Sequence, residues 1–213
     1  MIKSSFLLAW RNLLKYKALS FVNIGGLVIG LTSALLLLSH VSFQSSFDSF
    51  NTQKENIYRV NLSYYENSKL VIHSAENYSG LASALKKDIP EVLDAARLYN
   101  MGYKNNCVFT YNNNSFRETN FLYADASFFK IFTYPFIKGD PSTALSRPYT
   151  AVISASLAKK IFGTTDPVGA SIKMDDDDRN SELCKITGVF QDPPPNSHLQ
   201  FDILISYPTL YSR

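Results

Sequence analysis

The chain of 213 residues carries 21 Lys and Arg against 18 Asp and Glu, a formal net charge of +3, and 46% of its residues are hydrophobic. That composition excludes a wholly disordered chain and fits one ordinary domain or two small ones. The positive charge is local: Lys3, Arg11, Lys15 and Lys17 stand with no acid among residues 1–17, a balance of +4, so the remainder balances at −1 and offers no broad basic surface to nucleic acid.

In the first segment, residues 1–17, Ile2, Phe6, Trp10 and Leu13 fall at helical spacing on one side, with Ser4, Arg11 and Lys15 on the other. This predicts an amphipathic helix lying along the cytoplasmic membrane surface, with Trp10, Arg11, Lys15 and Lys17 at the interface. A plain basic flank that only sets topology would present the same residues. Ala18 to Ser39 is a run of 22 residues without a charged side chain. As a helix it is about 33 Å long, enough to cross a hydrocarbon core of about 30 Å. A transmembrane helix is therefore predicted over residues 18–41. The basic residues lie only on its N-terminal side, which places the N-terminus inside and the C-terminal bulk outside. The rival is a cleaved signal peptide, but the apolar run is long for one, and residues 39–44 lack a clear cleavage site. Gly26, Gly30 and Ala34 recur every four residues, a small-residue stripe against which another helix could pack. Glycine tolerance within a membrane helix gives the same pattern.

From residue 42 to 213 the composition becomes that of a mixed α/β, or α+β, extracytoplasmic domain. Phe43, Phe47 and Phe50 suggest that the helix continues outward for several turns. Residues 57–62 alternate and predict a strand. Residues 77–88 predict a helix with Leu81, Ala84 and Leu85 inward, ended by Pro90. Segments near 93–99, 105–111 and 116–124 are strand-like, and residues 127–132 predict a short helix. Ser154 is placed to cap a helix over residues 155–162, with Gly163 as its stop in a left-handed conformation. Leu157, Ile161 and Phe162 would face the core, and Lys159 and Lys160 the solvent. Strands near 170–174 and 183–190 flank Asp175-Asp176-Asp177-Asp178, read as a solvated hairpin tip. A calcium loop fits poorly, since Ser181 and Thr187 stand where an EF-hand needs glycine and glutamate.

Signatures of catalysis do not assemble. The sequence has no phosphate loop, no G-x-S-x-G elbow and no H-E-x-x-H, and His40, His73 and His198 have no metal-ligand spacing. No catalytic residue, cofactor site or metal site is therefore expected. Cys107 and Cys184 could form a bridge outside the cytoplasm or be small buried side chains.

Several blocks in order resemble one family. Arg11-Asn12-Leu13-Leu14-Lys15 precedes the apolar helix, and Phe47-Asp48-Ser49-Phe50 followed by Asn56-Ile57-Tyr58-Arg59-Val60 comes after it. Phe128-Phe129-Lys130-Ile131-Phe132 leads to Phe136-Ile137-Lys138-Gly139-Asp140-Pro141 and Ala144-Leu145. Ala158-Lys159-Lys160-Ile161-Phe162-Gly163 with Asp166-Pro167-Val168-Gly169, then Thr187-Gly188-Val189-Phe190, Asp192-Pro193, Asn196-Ser197-His198-Leu199 and Phe201-Asp202, complete the series. Together they resemble MacB/FtsX-like ABC transporter permeases of the form common in Bacteroidetes.

The resemblance implies a non-catalytic permease component in the inner membrane, with ATP bound and hydrolysed by a separate ABC ATPase subunit. It implies membrane lipid as a partner, a second permease as a dimer partner, and a periplasmic adaptor with an outer-membrane channel in some systems. Movement of the extracytoplasmic domain would drive export or release of peptides, lipoproteins, toxins or drugs. Such permeases are normally several times longer, so the chain is expected to be an N-terminal fragment with its periplasmic domain incomplete at the C-terminus. The alternatives from other classes are a single-pass sensor or ligand-binding protein, and an anchored extracytoplasmic enzyme. The cytoplasmic tail of about 17 residues leaves no room for a sensor's output domain. The missing nucleophile and metal clusters count against an enzyme.

Overall fold

A computed structural model describes residues 10–212 apart from residues 12, 101–106 and 176–180. The chain divides into two compact units, Met1–Phe47 and Asp48–Arg213.

In the first unit residues 10, 11 and 13–15 are helical, and after a turn at Tyr16 the long helix α1 runs Lys17–Ser45. It is apolar all round and has no buried residue. A soluble surface helix would segregate its apolar side chains into a stripe. Among the described residues α1 is the one helix long and apolar enough to cross a membrane. It stops at Ser45, so Phe47 and Phe50 lie beyond it, in turns, and the outward extension is shorter than the phenylalanine spacing predicts. Phe43 and Phe47 meet edge to face at 5.2 Å between ring centroids instead of continuing a helical face.

The second unit is an α+β domain. Its strands are β1 (Leu62–Glu66), β2 (Lys69–Ser74), β3 (Leu98–Tyr99), β4 (Val108–Tyr111), β5 (Asn114–Arg117), β6 (Phe121–Ala124), β7 (Phe136–Gly139), β8 (Thr150–Ser154), β9 (Ser171–Asp175), β10 (Ser181–Phe190) and β11 (Ile203–Ser206). Its helices are α2 (Leu81–Asp88), α3 (Phe128–Ile131) and α4 (Ala155–Phe162), with 3-10 turns at Lys54–Asn56 and Tyr207–Tyr211. Strands β1 and β2 form a separate antiparallel hairpin turned by Asn67 and Ser68, both at positive φ. The other nine described strands make one mixed sheet in the order β3-β6-β11-β8-β10-β9-β4-β5, with β7 on β10.

Strand β10 organises that sheet. Its first half pairs β9, its last residues pair β7, and its other side runs parallel to β8. Central β8 and β11 are buried at every position. One face gathers Ala151, Ile153, Ile186, Ile203 and Ile205 under Leu157 and Phe162 of α4. The opposite face gathers Val152, Leu204, Phe190 and Phe201 with Phe128 of α3. The core thus has two layers, one on each side of the sheet.

Several expectations are corrected. Residues 57–61 form no strand, and β1 begins only at Leu62. Helix α2 starts at Leu81, not residue 77, and Ala84 on it is exposed while Leu81 and Leu85 are half-buried. Residues 93–97 are not strand, and 116–124 divides into the end of β5 and β6. Gly163 has φ +60° but ψ −111°, outside the left-handed helical well. Cys107 and Cys184 are both buried, but β9 lies between their strands, with Val108 opposite Asp175 and Cys184 opposite Ile172. Two strand spacings, about 9–10 Å, exceed the Cα separation a disulfide can span. The run Asp176–Asp178 lies outside the described residues.

Candidate functional site at the start of the folded domain

Asp48 is the first residue of the second unit and sits at φ +54°, a conformation that costs a non-glycine residue about 1 kcal/mol. Its side chain and backbone explain why it is held there. One carboxylate oxygen accepts from the backbone N–H of His198 at 3.0 Å and from the Ser197 hydroxyl at 3.3 Å. The other lies 2.7 Å from His198 Nδ1. Its own backbone N–H donates to the Asn196 carbonyl at 2.9 Å. Four contacts therefore bind one residue to three consecutive residues of the loop that follows Pro193-Pro194-Pro195.

The next residues are fastened to a different segment. Buried Asn51 accepts from the Thr133 backbone N–H at 2.9 Å, and Thr52 N–H donates to the Thr133 hydroxyl at 3.1 Å. Phe50 packs edge to face on Tyr134 at 5.3 Å. Tyr134 joins both halves, since its hydroxyl lies 3.1 Å from that of Ser197. Burial raises the Tyr134 pKa, so the phenol stays protonated and its hydrogen is available to this contact. The ring stacks on Phe128 and meets Phe201 and Phe190, all fully or almost fully buried.

Serine, histidine and aspartate here do not make a nucleophilic triad. Ser197 and His198 both face the carboxylate, whereas a triad needs the histidine between the other two. The arrangement is a clamp, and what it can do is hold. Among the described residues no group of three or more His, Cys, Asp or Glu side chains could hold a metal.

A second polar joint fixes the end of the same loop. The Ser154 hydroxyl donates to Asp202 at 2.9 Å and accepts from Leu157 N–H at 3.3 Å, capping α4. Asp192 accepts from Ser156 N–H at 3.0 Å. Residues 192–202 are thus tied to Asp48 on one side and to α4 on the other.

The residues singled out from sequence lie elsewhere. Gly26, Gly30 and Ala34 are exposed on α1, and a Cβ added at Gly26 or Gly30 would meet nothing within 4 Å. Trp10 is exposed, as are Arg11, Lys15 and Lys17, with Lys15 Nζ 5.4 Å from the Tyr16 ring centroid. Ile2, Ser4 and Phe6 lie outside the described residues. The clamp itself was not read from sequence as a unit. Asp48 and His198 are 150 positions apart, and no periodicity joins them.

Residues 20–213 match the family described as MacB-like periplasmic core domain. Among solved structures, a domain of a protein assigned as a permease from Porphyromonas gingivalis shares 25% identity at a TM-score of 0.53, covering 71% of this chain and 61% of that one. The chain thus spans about three fifths of the length of that domain. The periplasmic region of MacB from Actinobacillus actinomycetemcomitans shares 17% identity at TM-score 0.43, over 62% of this chain and 56% of that one. The extracellular domain of the noncanonic ABC-type transporter YknZ from Gram-positive bacteria shares 15% at 0.38, over 55% of each chain. No curated protein matches. The family match begins within α1 and covers every element after it, and on that ground the chain belongs to the family of MacB-like periplasmic core domains.

Proposed function

We propose that this chain is part of the permease component of a MacB/FtsX-type ABC transporter. On this reading residues 1–17 lie at the cytoplasmic face of the inner membrane, residues 18–41 cross it, and residues 42–213 form a periplasmic domain. ATP hydrolysis takes place in a partner ATPase subunit, and the chain itself catalyses nothing. Motion of the membrane helices moves the periplasmic domain, which exports or releases a peptide, lipoprotein, toxin or drug, alone or with an adaptor and an outer-membrane channel. A second permease copy completes the assembly, with Gly26, Gly30 and Ala34 as the close-packing face of the helix.

The observation that carries this reading is that one family match takes in both the apolar helix and the folded domain. The basic residues on one side of the helix give its direction. The test is a pair of reporter fusions after Asn51. An enzyme active only when exported should work there, and one active only in the cytoplasm should not. The reverse result sinks the orientation. Affinity capture of the full chain from membranes should retain an ABC ATPase, and ATP turnover should follow that subunit. Turnover that stays with the chain after its removal would refute the non-catalytic role.

A further inference from the structure

We propose that Asp48, with Ser197 and His198, is a latch through which a load carried by helix α1 enters the periplasmic fold. Residues 48–52 could simply have been a tether between a helix and a domain. They are built instead into that domain at two places: Asp48 on residues 196–198, and Asn51 and Thr52 on Thr133. Both anchor points belong to loops of the same core layer, around Phe128, Tyr134, Phe190 and Phe201. A displacement arriving along the chain at residue 48 is therefore delivered to the loop 193–199 and to the sheet's aromatic face. It does not reach the separate β1–β2 hairpin first, although that hairpin is nearer in sequence.

The direction of the contacts matters as much as their number. The Asp48 carboxylate receives the backbone N–H and the ring nitrogen of His198 and shares the Ser197 hydroxyl proton with the Leu199 carbonyl, and hydrogen bonds to a charged acceptor are the stronger class. These contacts come from two adjacent residues, Ser197 within reach of the Tyr134 hydroxyl and the loop fastened again by the Asn196 carbonyl to the Asp48 N–H. The positive φ of Asp48 is a costly backbone conformation at the first residue of the second unit, and the latch holds it there. His198 is a positioning residue on this account.

The inference rests on the reading of α1 as the element through which force arrives, but its test does not need a transporter. The full chain in detergent micelles is held between a C-terminal handle and a cysteine handle, at either Gln44→Cys or Lys69→Cys. Both sites are exposed, while the two native cysteines are buried. Folded-state lifetime is read under constant force. His198→Ala should shorten it by about two- to fivefold when force enters through residue 44, as expected for losing a hydrogen-bonded pair that is largely exposed to solvent, and leave it unchanged when force enters through residue 69. His198→Asn, whose amide nitrogen can reach the Nδ1 position, should restore the lifetime. If His198→Ala does not fold, Asp48→Asn is measured by the same criterion. Equal shortening from both pulling points would make the residue an ordinary structural brace and overturn the proposal, as would no change from residue 44. Inverted topology reporters would instead overturn the permease reading and leave the latch standing.

Discussion

Gly188 of β10 lies opposite Gly139 of β7, and a Cβ at either position would run into an atom of the other strand. A Cβ on Gly188 would come within 2.6 Å of Phe136 Cε1. One on Gly139, at φ +87°, would run into the Thr187 carbonyl. This close approach lets the last residues of β10 take β7 on one side while β8 occupies the other. The Phe136 ring cannot swing freely aside, because it meets Phe129 edge to face at 4.7 Å. Gly188→Ala should therefore destabilise the domain by about 1–3 kcal/mol, the usual range for overpacking. Gly139→Ala should cost at least as much, since backbone strain is added to the clash. Chemical denaturation of the full chain in detergent measures both; a wild-type midpoint for Gly188→Ala would mean that Phe136 gives way.

Helix α4 supplies a sharper contrast between neighbours in sequence. Phe162 is buried and its ring centroid is 4.4 Å from that of Tyr111, while Lys160 is exposed. Phe162→Ala should cost about 3–5 kcal/mol, and Lys160→Ala should be nearly silent. Gly163 tests conformation alone: a Cβ there meets nothing within 4 Å, yet φ is +60°. Gly163→Val should thus be harmful through the backbone, without any clash. The same denaturation assay separates the three, and equal losses at 160 and 162 would reverse the face assignment.

The small-residue stripe predicts association in the bilayer rather than stability in solution. If Gly26, Gly30 and Ala34 form the close-packing face, Gly30→Ile should reduce energy transfer between donor- and acceptor-labelled copies in lipid vesicles. Val28→Ile points about 200° away around the helix and should leave transfer unchanged. Equal losses from the two substitutions would remove the stripe's special standing.

What could be read from sequence divides along physical lines. Helix α4 was legible at both ends because Ser154 and Gly163 act locally, one as a side-chain cap and one as a stop. The β9–β10 hairpin was legible because its buried positions alternate: Ile172 and Met174 on one strand, Glu182, Cys184 and Ile186 on the other. Strands β8 and β11 gave no such signal. Val152-Ile153 and Ile203-Leu204-Ile205 are buried on both sheet faces, so every position is apolar and the period of two disappears. Strand β7 has the opposite problem, since it is largely exposed and held by two glycines. The blocks that identify the family were visible, but their roles were not. Asp48 and Ser197-His198 fell in separate motifs, and only the fold brings them into contact.

Arg97 forms a two-pronged pair with Asp125, with Nε and Nη2 each 2.8 Å from a carboxylate oxygen, and reaches the Ser79 carbonyl at 3.1 Å. Its guanidinium carbon lies 4.0 Å from the centroid of the buried Tyr207 ring. Burial, aided by a hydrogen bond with Tyr211, pushes the Tyr207 phenol from 10.0 up to about 12. The fold therefore holds the Tyr207 proton more tightly than the unfolded chain does. Its contribution is fully present below pH 10 and is lost as pH rises through about 12. Denaturation midpoints of the full chain should fall across that window. Other tyrosines and lysines also titrate there, so the informative quantity is the difference between wild type and Tyr207→Phe, which retains the ring but has no proton to lose. The variant should show a shallower fall. Parallel curves for the two proteins would mean that the hydrogen-bonded pair Tyr207 and Tyr211, whose second member is shifted down, gives up its protons as readily in the folded state as in the unfolded one.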